Sequence, residues 1–533
     1  MNSPHLQRRV PFDLTAIGDL SDWSGRLVWP VSHAEQYDVH RRQFRGLIQH
    51  IGGIDDGMAR DVLMLGTIPL MSVVRFLTDM AIVVGTEKFS GIELAGNLPE
   101  LAFLQGKTGT EDIPLPPMAS CEVPDKAWLR RLVRTASWTP WRRLGKTFAA
   151  PTSIAITHNS LLREAARGSR ERIFFHQAEN WLAKVRAQNL DDGFNTDVPA
   201  LAENLADVLA TCSGLDDPWN GRLRTLILPW AQNLLRHASR DMEALRRMDD
   251  LPMSIWSGSG SYYPTRAMSL AVMRRGGTVK GFEHGGCIGY VKDNLMIAFG
   301  EFASVTEFVS CTREKAGFRG FAEAVDLIKP LRRMKISGLH GDPEFRFSGT
   351  HRRPNGKRPK VVYVPTIFNG PRQLYPPMLP DVVALDWQLR VAKFLSRLPI
   401  DLICRPHPDD CHPWDSHPLA DIAPLSEGPF KQVMDEADIF IYDFSRTTSL
   451  WKCLCTDKPV VFLGVSLGHE PFASDAQALM EERCRLVDVV FDDNNVPQFD
   501  GGMLAQAVMD DLRPADPSAI RRLQAGNGQG LSP

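Results

Sequence analysis

The sequence predicts an α/β protein of two domains, each built on a parallel sheet, and three observations carry that prediction. Continuously apolar strand patterns alternate with helical ones through the carboxy-terminal third, the same alternation recurs in the middle of the chain, and a polar, basic stretch rich in Gly and Pro separates the two. Strands apolar along their whole length, without alternation, indicate a sheet covered on both faces. The 533 residues suit two or three domains of roughly 100–200 residues each.

In chain order, residues 160–250 are expected to be a helical segment, as in LLREAARGSRERIFFHQAENWLAKVRAQ. MSIWSGSGS, from Met253, reads as a strand entering a glycine-serine loop. PTRAMSLAVMRRGG follows as a helix closed by glycines, and TVKGFEHGG as a second strand entering a loop, completing a βαβ unit. HGDPEFRFSGTHRRPNGKRPK, residues 340–360, is the expected linker. KVVYVPTIF is then a buried strand stopped by NGP, and DWQLRVAKFLSRLP a helix with Leu389, Val391, Ala392, Leu395 and Leu398 on one side. DLIC, KQVMDEA, DIFIYD, SRTTSLWKCLC and KPVVFLG continue the strand–helix alternation. The expected domains are therefore 1–339 and 361–525, with a cleft between the carboxyl ends of their sheets, where open parallel sheets bind ligands.

Composition narrows the function. Lys+Arg 61 against Asp+Glu 63 leaves a net charge of -2, so no global field points to nucleic acid. Nine scattered cysteines do not form a disulfide framework, and Cys453 and Cys455 lack the second pair a zinc site needs. MNSPHLQRRVPFDL has no apolar signal core, so a cytoplasmic location is expected. DVLMLGTIPLMSVVRFLTDMAIVVG is interrupted by Pro69, Arg75 and Asp79 and reads as buried core.

Three strand-end loops carry chemistry. In RPHP, Pro406 and Pro408 stiffen the backbone around His407, and Arg405 adds a permanent cation with a fork suited to phosphate. His412-Pro413 and His417-Pro418 have no strand before them and are weaker candidates. In YDFSRTTS, Ser445, Thr447, Thr448 and Ser449 surround Arg446 at a helix start and offer donors to an anion. In FEHGG, Gly285 and Gly286 permit close backbone approach, while Glu283 and His284 suit acid/base or nucleophilic work. The Ser257-Gly258 loop could cradle an anion, and Asp293 and Glu301 are further carboxylates. G-x-G-x-x-G with its acidic partner, G-x-x-x-x-G-K-[ST], H-E-x-x-H and a D-x-D triplet are all missing from the sequence. No cofactor and no metal are expected.

A strand–HP loop followed about 40 residues later by a strand and a Ser/Thr cluster resembles the HP and S motifs of bacterial sialyltransferases and capsule Kdo transferases. The HGG loop and VPTIFNGPRQLYPP are similar to the Kdo-transferase-like group, and the related CDP-glycerol polyol-phosphate transferases carry an Asp-Tyr-Ser-Ser loop like YDFS. The resemblance spans roughly residues 250–490. It implies a GT-B fold of two Rossmann-like domains, with the donor nucleotide held mainly by the second. It also implies a CMP phosphate held by His407 and Ser445–Ser449 in a pocket lined by Asn369 and Gly370, and acceptor recognition in the first domain. The donor carboxylate would take Arg266, Arg372 or Arg446; Glu283 would serve as nucleophile in a retaining reaction, or His284 as base in an inverting one. The family's acidic D/E-D/E-G motif has loose counterparts at Asp55–Gly57 and Asp191–Gly193.

The implied function is a metal-independent glycosyltransferase of surface polysaccharide or glycolipid assembly, with a CMP-linked Kdo-like or sialic-acid-like donor and a glycan or lipid-linked acceptor. The rivals are a CDP-glycerol-type transferase and a non-catalytic module that binds glycans or partner enzymes; an epimerase would need more cleft carboxylates. KAWLRRLVRTASWTPWRRLGK, residues 126–146, mixes seven basic residues with three tryptophans and no acid, which suits peripheral contact with an anionic membrane and equally a basic helix face packed by its tryptophans.

Overall fold

Apolar strands that cannot leave their backbone groups unpaired assemble here into two parallel sheets. The structure, a computed structural model, describes residues 8–18, 27–111, 113–115, 152–187, 196–292, 294–347, 358–370, 379–465, 471–509 and 514–526. The 126–146 stretch, Asp191–Gly193, Asp293 and Arg372 lie outside the described residues.

A short parallel pair, β1 (Arg8–Pro11) and β2 (Ile92–Ala95), opens the chain. The first large sheet contains β3 (Ser153–Ala155), β4 (Ile173–Phe175), β5 (Ser254–Ser257), β6 (Thr278–Phe282), β7 (Glu307–Ser310) and β8 (Lys335–Gly338), in the order β4-β3-β5-β6-β7-β8. The second contains β9 (Lys360–Val364), β10 (Asp401–Cys404), β11 (Ile439–Tyr442), β12 (Val460–Leu463) and β13 (Arg485–Val487), in the order β10-β9-β11-β12-β13. Both are all-parallel, so the fold class read from the sequence is the one the chain adopts: two Rossmann-like units facing a cleft.

The helical layer is larger than expected and begins earlier. His33–Gly52 and Gly57–Ser90 precede the first sheet, and Val198–Ser213 and Trp219–Arg246 pack against them. The 160–250 segment is not wholly helical, because β4 interrupts it. The Gly57–Ser90 helix is capped by Asp56, whose carboxylate accepts the Met58 N–H, and it ends at Gly91 in the left-handed region (φ 65°). Asp55–Gly57 is thus a helix start, not a strand-end motif. By length and composition Gly57–Glu87 could cross a membrane, yet 78% of its apolar window is buried inside the protein. Its Arg75 and Asp79 pair at 3.2 Å, with His40 3.1 Å from Asp79, so the charges that interrupt the apolar run neutralise one another in the core.

Two cross-connections tie the halves together. Trp29 N–H donates to Asn494 O at 2.9 Å and Asn495 Nδ2 donates to Trp29 O at 2.8 Å, beside the hairpin of β14 (Val489–Phe491) and β15 (Pro497–Phe499). The last described helix, Ser518–Ala525, lies on the first domain. Thr312 Oγ1 donates to Leu523 O (2.9 Å), Asp342 N–H to Gln524 O (2.8 Å), and Arg522 pairs with Glu314 (3.0 Å). Arg521 Nη2 also donates to Cys455 O at 2.8 Å, so the last helix of the expected second domain bridges the two.

Candidate functional site

From β9 the chain passes to β10 on one side and then to β11 on the other. Order reversal of this kind leaves a crevice at the carboxyl ends, because adjacent loops diverge there. The three loops after β9, β10 and β11 supply the walls of a 340 Å³ cavity: Pro365 and Ile367; Arg405, Pro406, His407 and Pro408; and Phe444, Arg446, Thr447, Thr448 and Ser449. Lys452 and Phe430 complete it. RPHP and RTTS, far apart in sequence, thus share one space.

His407 Nδ1 accepts the Asp409 N–H at 3.2 Å, which places the proton of the neutral ring on Nε2. Burial lowers its pKa, so at neutral pH it is an uncharged donor. Arg405 lines the cavity with its fork already engaged: Nη1 donates to Ser426 O and Oγ, and Nη2 to Gly428 O at 2.7 Å. It stiffens the 426–428 loop more than it offers itself to a ligand. Thr447 Oγ1 and Ser449 Oγ lie 2.9 Å apart. Ser445 does not reach the cavity: it is 1% exposed and its Oγ is sealed away without a partner. The helix these residues open, Thr448–Leu454, is only seven residues long, so hydroxyls and cations outweigh any dipole. Asp443, just before the loop, anchors it. Its Oδ2 accepts Tyr363 OH (2.7 Å) and Trp387 Nε1 (2.9 Å), and burial pushes its carboxyl up to about 6.

The first domain meets this cavity through FEHGG. A Cβ on Gly285 would sit 3.3 Å from Thr448 Oγ1, and one on Gly286 would strike Phe345 and approach Trp451 Cβ at 3.0 Å. Both glycines have φ between 73° and 78°, so close approach and backbone conformation demand Gly together. Glu283 does not face the cleft. It is 0% exposed and ion-paired to Lys315, and its Oε2 accepts Ser310 Oγ (2.8 Å) and Cys311 N–H (3.1 Å). Lys315 Nζ also donates to Gly286 O (2.8 Å) and Gln524 Oε1 (3.2 Å). A carboxylate closed on both oxygens has no lone pair for an anomeric carbon, which removes Glu283 as nucleophile and makes it the anchor of the loop. His284 is half-buried, with Nδ1 sealed and unpartnered. Beneath the loop, Tyr290 stacks on Trp451 (centroids 4.2 Å, 14°), and Trp451 Nε1 donates to Ser445 O at 2.8 Å. The two domains are joined directly under the cavity.

Other candidates fall elsewhere. The glycine-serine loop already holds an anion, the protein's own. Gly260 N–H and Ser261 Oγ donate to the buried Glu301 carboxylate at 2.7 and 2.8 Å, while Ser257 is buried and Gly258 is pressed against Asn159. Arg266 is 0% exposed and bonds Met64 O, Phe299 O and Gly300 O, which makes it a structural cation unable to meet a donor carboxylate. Asn369 and Gly370 donate their N–H groups to Asp381, and Gly370 lines a separate cavity of 280 Å³ with Phe12, Trp29, Phe76 and His412. His417 is buried, stacks on Phe368 at 5.2 Å, and has its pKa pushed down to about 3 by burial. Sequence reasoning missed Lys452 and Lys315. Lys452 could have been found, since it follows Thr448 by one helical turn; Lys315 carried no local signal.

Asp410 closes the RPHPDD turn. Its Oδ1 accepts the Phe368 N–H (2.7 Å) and burial pushes its carboxyl up to about 7. Raised above its unfolded value of about 3.9, it binds more protons folded than unfolded, so it destabilises increasingly from pH 4 to 7 and by a constant amount above. Asp410→Asn, relative to wild type, is expected to gain stability over that window and plateau beyond it. Urea midpoints from pH 4 to 8.5 check this; a flat difference contradicts it.

No known family's sequence model matches the chain, and no curated protein matches it. Among solved structures it is similar to the glycotransferase of kitacinnamycin (15% identity, 70% of this chain and 94% of that one, TM-score 0.34). It is also similar to a UDP-glucosyltransferase from Polygonum tinctorium (12%, 70% and 92%, 0.33) and to the glycosyltransferase SnogD from Streptomyces nogalater (9%, 70% and 92%, 0.28). Scores this low leave the functional assignment to the site itself.

Proposed function

We propose that the protein is a glycosyltransferase that takes a sugar from a nucleotide-linked donor, CMP-linked and of the Kdo or sialic-acid type, and passes it to a glycan or lipid-linked acceptor. The carrying observation is the convergence of His407, Thr447, Thr448, Ser449 and Lys452 on one cavity at the switch point of the second sheet, with the HGG loop against it. The acceptor hydroxyl attacks the anomeric carbon and the bond from that carbon to the phosphate oxygen breaks. The developing negative charge on the phosphate is met by the His407 Nε2–H, the hydroxyls and the Lys452 ammonium. With Glu283 closed, His284 is the loop residue left to take the hydroxyl proton, and a base without a protein nucleophile implies inversion. Lys452 also pairs with Glu344 at 2.6 Å, so this cation reports on both domains.

A thermal-shift panel of CMP, CDP, UDP and GDP on wild type and His407→Ala tests the reading. A nucleotide at a hundred times its Kd stabilises by about 2.7 kcal/mol. His407 is 43% exposed at its side chain, so alanine leaves the fold intact. The expected result is stabilisation by CMP that His407→Ala abolishes. A larger response to CDP than to CMP transfers the assignment to a CDP-glycerol-type enzyme, and a response to UDP alone removes the CMP donor. Silence toward all four overturns the transferase reading.

A further inference from the structure

Two ion pairs stand near the cleft, and burial sets them apart. Lys315 and Glu283 are sealed from water, whereas the Lys452 and Glu344 side chains are 22% and 36% exposed. A sealed pair cannot exchange a member for a solute, because an ion left alone in the interior is costly. A pair open to water contributes little net stability, so another anion can replace its carboxylate without a large penalty.

Lys452 lines the donor cavity from the second domain, and Glu344 reaches it out of the short turn Pro343–Phe345 that follows β8. The backbone of that turn is fixed. Phe345 is buried where a Cβ on Gly286 would strike it, Asp342 N–H donates to Gln524 O, and the Asp342 carboxylate accepts the Glu344 N–H at 2.9 Å. The Glu344 side chain is held less firmly. Its Oε2 accepts from Ser160 Oγ at 3.2 Å, and the same hydroxyl lies closer to Asp342 Oδ1. A serine has one hydroxyl proton, so the two carboxylates compete for it. The fold thus puts a carboxylate on a movable arm, from a rigid base, against the lysine of the cavity.

We infer that Glu344 is the resident counter-ion of the donor cavity, exchanged on Lys452 for the phosphate of the incoming donor. The inference rests on the reading of this cavity as the donor-phosphate site. A phosphate offers more acceptor oxygens than a carboxylate, and His407, Thr447, Thr448 and Ser449 line the space beside Lys452 to meet them. A solute carboxylate would only replace like with like, so the exchange selects phosphate. Until Glu344 leaves, an arriving anion faces a like charge a few ångströms away, which a neutral nucleoside does not feel. The exchange also unties the domains at this point, because the Lys452–Glu344 pair crosses between them. Donor phosphate and this tie exclude one another.

The test is calorimetric titration of the full chain with CMP, cytidine and inorganic pyrophosphate, on wild type, Glu344→Gln and Lys452→Gln. Glutamine keeps the length of Glu344 and drops its charge, and the thermal midpoint without ligand shows that each variant is folded. Glu344→Gln is expected to bind CMP and pyrophosphate about tenfold more tightly than wild type and cytidine equally well, while Lys452→Gln weakens both anions. Three results overturn the inference and leave the transferase reading in place: CMP bound by Glu344→Gln no more tightly than by wild type, a gain for cytidine as large as the gain for CMP, or anion binding indifferent to Lys452→Gln. Pyrophosphate tightened by Glu344→Gln with CMP silent throughout would instead sink the transferase reading and leave this one standing. Silence of both anions on all three chains overturns both.

Discussion

Lys315→Met is expected to cost about 3–5 kcal/mol of folding stability, because it strips the partner from a carboxylate with no access to water. Lys315 and Glu283 are both 0% exposed, and the lysine's other donors go to Gly286 O and Gln524 Oε1, with its ammonium 4.7 Å from the Tyr290 ring. Removing the cation therefore leaves a buried charge and an orphaned Gln524 Oε1, while Gly286 O keeps the bond from Gln524 Nε2. The double variant Glu283→Gln/Lys315→Met should recover much of the loss, since neutralising both members of a buried pair is far cheaper than breaking it. Urea midpoints of wild type, both single variants and the double variant decide the matter. Equal midpoints for Lys315→Met and wild type would mean that the pair is not the anchor described.

Trp451→Ala should rank beside it, at about 3–5 kcal/mol for a large aromatic deleted from a closed core. Trp451 is 0% exposed, stacks on Tyr290 from the other domain and holds Ser445 O through its indole N–H. Trp451→Phe separates these roles. It keeps a ring against Tyr290 and loses the hydrogen bond, worth about 1 kcal/mol, together with the part of the indole that a phenyl ring does not fill. If that bond positions the hydroxyl loop, Trp451→Phe weakens CMP binding while its urea midpoint falls much less than that of Trp451→Ala. A phenylalanine variant with unaltered CMP affinity would show that the loop holds its shape without the indole.

The second domain was legible because buried parallel strands announce themselves: VVYV, IFIY and VVFL are apolar at every position and all are fully buried or nearly so. The meeting of RPHP and RTTS was legible for the same reason, since strand-end loops of one parallel sheet must emerge on one edge. The first 175 residues were harder. Gly57–Ser90 shows little helical periodicity because protein surrounds it, and β3 and β4 are three residues each, too short to leave a pattern. Glu283 was misassigned for a different reason. A carboxylate beside His-Gly-Gly at a strand end reads as chemistry, and what disarms it is Lys315, 32 residues on, and Gln524, 238 residues beyond Gly286. The glycine-serine loop misled in the same manner: its anion comes from Glu301, about 40 residues downstream.

The return of the Ser518–Ala525 helix to the first domain has a consequence for synthesis. Gln524 Nε2 donates to Gly286 O at 2.7 Å and its Oε1 receives Lys315, so the FEHGG loop gains two supports from a residue made 238 positions after Gly286. A ribosome shields the newest stretch of chain in its exit tunnel, and the first domain, though emerged long before, must wait for Gln524 to emerge before its half of the cleft can set. The order of manufacture thus keeps the cleft unset until the second domain and the helix that follows it have been made.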